Sequence, residues 1–210
     1  MIKKLFILCC LSGVFLCSGS LLGEPRHDNR IDRHNYVSSL VKPGDVGAEV
    51  GVWQGCFSYH TLLPRQPSKL YLIDSWAGDA ESDPDRGDQS SSSQLARKHM
   101  YEQVQEAFAP YPNVEIIKMK SDEAAACFPD NFFDYVYIDG DHSYEGVMKD
   151  LESYFPKVKI GGLIIGDDYG WGRVSVAVQD FLKKYNDRIY WFGDPCVQPR
   201  EGQYVIRKVR

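Results

Sequence analysis

From about residue 30 onward, short β-rich runs alternate with amphipathic stretches, and this alternation limits the fold more than any other feature of the chain. Val46–Val52, Lys69–Asp74, Val114–Met119, Phe132–Asp139 and Leu163–Gly166 read as strands. Between them the apolar period changes from two to 3.6. Tyr144, Val147, Met148, Leu151 and Phe155 form one stripe within Ser143–Val158, and Val174, Val178, Phe181, Leu182 and Tyr185 form another within Arg173–Tyr185. Such stripes lay one face of a helix on a sheet. Cys56–Leu63 and Ile31–Val41 read as further helices, the latter capping the first strand. Strands alternating with helices predict βαβ units and a parallel, doubly wound α/β sheet. Ile189–Phe192 and Tyr204–Lys208 have no helix between them and suit an antiparallel pair at the sheet edge. With 210 residues, the chain holds one domain with a full core.

Three segments fall outside that pattern or introduce it. Met1-Ile2-Lys3-Lys4 is a short basic start, and an apolar run from Leu5 to Leu22 follows. Residues 1–23 therefore read as a hydrophobic leader. Ser18-Gly19-Ser20 offers small residues for signal-peptide cleavage. Lipid attachment at Cys17 is opposed by the bulky Val14-Phe15-Leu16, and an uncleaved membrane anchor is the third option, since the run approaches the ~20 residues that span a bilayer. Residues 24–45 read as a helical lead-in to a domain over 46–210. Gly78–Ser93 is acidic and rich in serine, the composition of either a lid beside a site or a solvated insertion.

The net charge of −5, with no basic block, argues against nucleic-acid binding. Of the six cysteines, Cys9, Cys10 and Cys17 lie in the leader, and Cys56, Cys127 and Cys196 are scattered without metal-ligand spacing. They read as small buried thiols.

The residues with chemical potential sit where strands end. Gly47-Ala48-Glu49-Val50-Gly51-Val52-Trp53-Gln54-Gly55 turns the first strand into its helix. Glycines there let a ligand approach the backbone, but the dinucleotide pattern G-x-G-x-x-G is absent. Glu49 in that turn suits a ligand carrying an ammonium or hydroxyl groups. Asp74 ends the second strand, roughly 20 residues further on, where an acid can accept from a ribose diol. Together these favour a nucleoside ligand without a diphosphate. Ser121-Asp122-Glu123 reads as a helix N-cap that can also face an adenine.

Tyr137-Ile138-Asp139-Gly140-Asp141-His142-Ser143-Tyr144 ends the fourth strand, and Gly166-Asp167-Asp168-Tyr169 ends the fifth. Neighbouring strands would bring Asp139, Asp167 and Asp168 into one crevice. Carboxylates so placed repel one another unless a cation sits among them, and oxygen ligands suit Mg²⁺, Ca²⁺ or Mn²⁺. The other reading is that some cap helices and the rest face solvent. His142 follows directly and is the candidate general base. His27, His34, His60 and His99 read as structural or exposed.

The stretches "YIDGDHSYEGVMKDL", "GGLIIGDDY" and "IDSWAGD" make the region from about Val46 to Tyr185 resemble the class I S-adenosylmethionine-dependent methyltransferases. Within them, the likeness is to small-molecule O-methyltransferases of the macrolide-sugar and catechol type. The resemblance implies a seven-stranded sheet whose last strand is antiparallel. It implies S-adenosylmethionine as cofactor, with Glu49, Gly51 and Gly55 around its methionine moiety, Asp74 on the ribose, and Ser121 and Asp122 near the adenine. It further implies a divalent cation, Mg²⁺ foremost, at Asp139, Asp167 and Asp168. His142 falls at the position of a proposed base in the sugar-modifying relatives, and a small-molecule hydroxyl is the implied acceptor. In relatives the second residue of the last pair is often Asn, and in others the pair is His-Asp.

Rival readings are an inactive S-adenosylmethionine-binding protein of the envelope, a hydroxylase and a nicotinamide enzyme. The iron triad of two His and one carboxylate is not apparent, and the glycine fingerprint is missing. The leader points to export or anchoring, whereas the cofactor is cytosolic. A tethered domain facing the cytosol reconciles the two, and so does a leader that does not direct export.

Overall fold

The computed structural model describes residues 29–77, 94–192 and 202–210. The leader and the acidic serine-rich segment expected at 78–93 lie outside them. Among the described residues, no helix is long and apolar enough to cross a membrane.

Helix α1 (Asn29–Leu40) precedes β1 (Val46–Val50). A π-helical turn (Ser58–Leu62) and a 3₁₀ turn (Leu63–Arg65) lead to β2 (Lys69–Asp74). Then come α2 (Gln94–Phe108), β3 (Val114–Lys118), α3 (Ser121–Ala126), β4 (Phe133–Ile138), α4 (Tyr144–Tyr154), β5 (Val158–Gly166), α5 (Gly172–Lys184), β6 (Ile189–Phe192) and β7 (Tyr204–Lys208). The seven strands form one sheet in the order β3-β2-β1-β4-β5-β7-β6. Every pairing among β1 to β5 is parallel, and β7 runs antiparallel to both β5 and β6. This is the doubly wound sheet with an antiparallel last strand that the sequence predicted.

Burial follows the strand sequences. β1 and β4 are buried along nearly their whole length, as expected of central parallel strands covered on both faces. One core holds Val147, Leu151 and Tyr154 of α4 with Val174, Val178 and Phe181 of α5. The opposite core holds Val37 of α1, Phe57, Leu62, and Met100, Val104 and Phe108 of α2. Each fully buried Val, Leu or Phe contributes about 1.5–3 kcal/mol, far above the few tenths that separate helix propensities, so face matching sets these helices.

Several boundaries differ from the sequence reading for local reasons. α4 stops at Tyr154 and not at Val158, because Pro156 follows and Val158 opens β5. β5 starts well before Leu163: Gly161, at φ +86, lies within it, near a register shift against β4, and an interrupted apolar run hid that half. α3 begins at Ser121 itself, with Lys120 in the cap position, so the expected Ser cap is absent. Cys127 is exposed and Cys56 half-buried, so neither is the fully buried thiol expected.

Strand order reverses between β1 and β4, the place where doubly wound sheets bind ligands beyond the carboxyl ends of their strands. Main-chain bonds hold those ends together. Gly51 N–H donates to Ile73 O at 2.9 Å, Asp139 N–H to Val50 O at 2.8 Å, and Asp167 N–H to Ile138 O at 3.1 Å.

Candidate active site

The β1 turn is shaped by a clash it avoids. Gly51 has φ +88, and a Cβ there would lie 2.0 Å from the Asp139 carbonyl oxygen, so only glycine lets the turn cross the end of β4. Trp53 follows at φ +50. Asp74 braces the turn from β2. Its Oδ2 accepts from the backbone N–H groups of Val52 at 2.9 Å and Trp53 at 2.8 Å, and its Oδ1 accepts from Trp76 N–H at 2.7 Å. Carboxylate oxygens have further lone pairs, so ribose hydroxyls remain compatible with this bracing.

Glu49 lies under the turn, 1% exposed, and accepts a hydrogen bond from the Ser58 hydroxyl. Burial above all, then repulsion from Asp139 and Asp74, holds its carboxyl well above the usual carboxylate range, against the pull of Arg33. Gly55 packs so tightly on Phe108 that a Cβ would meet the ring at 2.9 Å. Ser121 donates its hydroxyl to Asp150, and Asp122 pairs with Lys149 at 2.8 Å. Both side chains are thus engaged within the protein.

Beyond β4 and β5, three side chains converge. His142 Nε2 lies 3.4 Å from Asp139 Oδ1 and 2.8 Å from Asp168 Oδ2. One ligand atom from each of Asp139, His142 and Asp168 falls within 4.8 Å of the others. Burial pulls the His142 imidazole down, but hydrogen bonds and attraction from Asp139 and Asp168 outweigh it and raise its pKa to about 9. The crevice thus favours positive charge between two carboxylates. Two carboxylates and an imidazole also suit a divalent cation. The Trp171 ring stands 5.2 Å from the imidazole.

Asp167, expected among the ligands, is placed elsewhere. It is buried at 4% exposure beneath the crevice, with both oxygens engaged. Arg33 of α1 binds one, and Gln203 and the Asp168 N–H share the other, the N–H at 2.9 Å. Both residues lie just past the end of β5, and the left-handed backbone of Asp168, at φ +57, brings its carboxylate to His142 while Asp167 turns inward.

Sequence reasoning missed Arg33, Asp150 and Gln203. Arg33 and Gln203 lie 134 and 36 residues from the partner they share, and no local pattern marks such contacts. Asp150 carried a signal, a carboxylate in register with the apolar stripe of α4. Of the other histidines, His34 bonds Thr61, while His60 and His99 are exposed.

A family model described as a methyltransferase domain matches residues 48–169, from inside β1 to the end of the β5 turn. The chain belongs to this family. Its fold is that of the class I S-adenosylmethionine-dependent methyltransferases. The O-methyltransferase NovP superposes with a TM-score of 0.60 at 21% identity, covering 86% of this chain and 81% of that one. SMU.1697c of Streptococcus mutans, solved in complex with SAH, gives 0.58 at 12% identity, covering 90% and 100%. At these identities the likeness is one of fold. An uncharacterized protein of Acanthamoeba polyphaga mimivirus is 41% identical over 76 residues, which is 34% of either chain. The match thus spans about a third of the viral protein.

Proposed function

We propose that this methyltransferase-family protein moves the methyl group of S-adenosylmethionine onto a hydroxyl oxygen of a small molecule, assisted by a divalent cation, Mg²⁺ foremost. The convergence of Asp139, His142 and Asp168 beside the Gly51 turn carries the reading. When bound, S-adenosylmethionine supplies an electrophilic methyl on its sulfonium. A cation held by Asp139 and Asp168 would lower the pKa of the acceptor hydroxyl and orient it.

The chain's own residues do the rest. The Gly51 turn admits the cofactor against the backbone, and Asp74 fixes that turn while retaining lone pairs for the ribose. Asp139 and Asp168 present their carboxylates from two neighbouring strand ends, where they would hold the cation and, through it, the acceptor hydroxyl. His142 would take the hydroxyl proton at Nε2 during the transfer. Between two unneutralised carboxylates the imidazole already holds a proton, so it serves as base only once their charge is balanced from elsewhere. The acidic net charge supports a small acceptor over a nucleic acid.

Calorimetry of the full chain with S-adenosylmethionine, with and without Mg²⁺, tests the reading. Asp139→Ala should bind the cofactor within a few-fold of wild type and lose the Mg²⁺ response. Unchanged Mg²⁺ binding and turnover in that variant would overturn the cation role.

A further inference from the structure

Arg33 belongs to α1, outside the span matched by the methyltransferase-domain family, yet it reaches the floor of the crevice. Its guanidinium pairs with Asp167, whose side chain is 3% exposed, and lies 5.5 Å over the Phe57 ring. Phe57 in turn stacks on Tyr137 at 4.1 Å and 18°. Tyr137 OH donates to Gln203 Oε1 at 3.1 Å, and Gln203 donates onward to Asp167. Asp167 is thereby clamped from α1, β4 and the approach to β7. Its second oxygen accepts the Asp168 N–H at 2.9 Å, so the clamp acts directly on the left-handed residue that presents its carboxylate to His142.

We infer that Arg33 is a positioning residue: by fixing Asp167 it holds the 167–168 turn in the conformation that puts the Asp168 carboxylate into the cation site. This rests on the cation reading above. Arg33 meets Asp167 through Nη1 alone, and the contact of its planar guanidinium with the Phe57 ring fixes the direction of that bond, which the point charge of a lysine would not do.

Mn²⁺ titration of the full-length chain, followed by electron paramagnetic resonance, gives a readout independent of turnover. Arg33→Met should weaken Mn²⁺ binding by about 10–100-fold, the range for residues that orient ligands. Its S-adenosylmethionine affinity should stay within about threefold of wild type. Arg33→Lys should fall between the two. Because Arg33 acts through Asp167, the double variant Arg33→Met/Asp167→Asn should lose no more than the worse single variant. Wild-type Mn²⁺ affinity in a folded Arg33→Met, or single losses that multiply in the double variant, would overturn the inference and leave the cation site standing. Should Arg33→Met not fold, Arg33→Lys decides, and parity with wild type overturns it. A wild-type chain that takes up no Mn²⁺ overturns the cation reading and this inference with it.

Discussion

The Asp168 carboxylate lies 2.8 Å from Nε2 of His142, carried there by a backbone at φ +57 that few non-glycine residues adopt. Conformation and charge can be separated at this position. Asp168→Gly keeps the left-handed turn at no steric cost and removes the proposed cation ligand. Its stability should stay within about 1 kcal/mol of wild type, while Mg²⁺-dependent turnover falls about 100-fold or more, beyond the 10–100-fold typical of an outer-shell partner. Urea midpoints and steady-state rates check the two halves.

Gly51 makes the opposite case. An alanine there meets the Asp139 carbonyl at 2.0 Å, and the obstacle is backbone that cannot rotate away. The left-handed strain alone costs about 1 kcal/mol, and parting β1 from β4 adds to it. Gly51→Ala should therefore lose more than about 2 kcal/mol in chemical denaturation and bind S-adenosylmethionine at least tenfold more weakly. A loss below about 0.5 kcal/mol would mean the crossing is looser than described.

Asp74 holds three backbone N–H groups with one carboxylate. Hydrogen bonds to a charged acceptor contribute about 1.5–3 kcal/mol each when buried, less here because the turn is partly exposed. Asp74→Ala should cost about 2–3 kcal/mol of stability and weaken cofactor binding. Asp74→Asn retains one acceptor and should cost about half as much. Thermal denaturation and calorimetry on the same samples separate bracing from ligand contact: a loss of affinity without a loss of stability would assign Asp74 to the ribose alone.

Asp150 ties pH to stability. Burial, opposed by the bond from Ser121, raises its carboxyl pKa to about 6, against about 3.9 in an unfolded chain. The folded state then binds this proton more tightly, so stability from Asp150 is fullest below about pH 4 and declines as pH rises through 6. Asp150→Asn keeps the acceptor for Ser121 and never ionises. It should exceed wild type by about 2–3 kcal/mol at pH 7.5, with the gap closing toward pH 4.5. A gap that does not change with pH would rule out this titration.

The fold and the site were not equally legible in the sequence. Apolar periodicity marked α4 and α5 because each buries one face on a sheet, and the β1 and β4 runs because both of their faces are covered. β5 was half hidden, since Gly161 and Gly162 interrupt its apolar run. At the site, Asp139 and His142 were readable because they end one strand together, three residues apart. The division of labour between Asp167 and Asp168 was not. Sequence places two adjacent carboxylates at the strand end, and only the left-handed backbone of Asp168 and the reach of Arg33 from α1 decide which one faces the crevice.

The most direct test of the central claim is transfer of labelled methyl from S-adenosylmethionine to a panel of sugar and phenol hydroxyls by the full-length chain. The account predicts incorporation that a chelator abolishes, that Mg²⁺ restores, and that Asp139→Ala lacks. Cofactor binding with no transfer to any hydroxyl, or transfer indifferent to chelation, would contradict it.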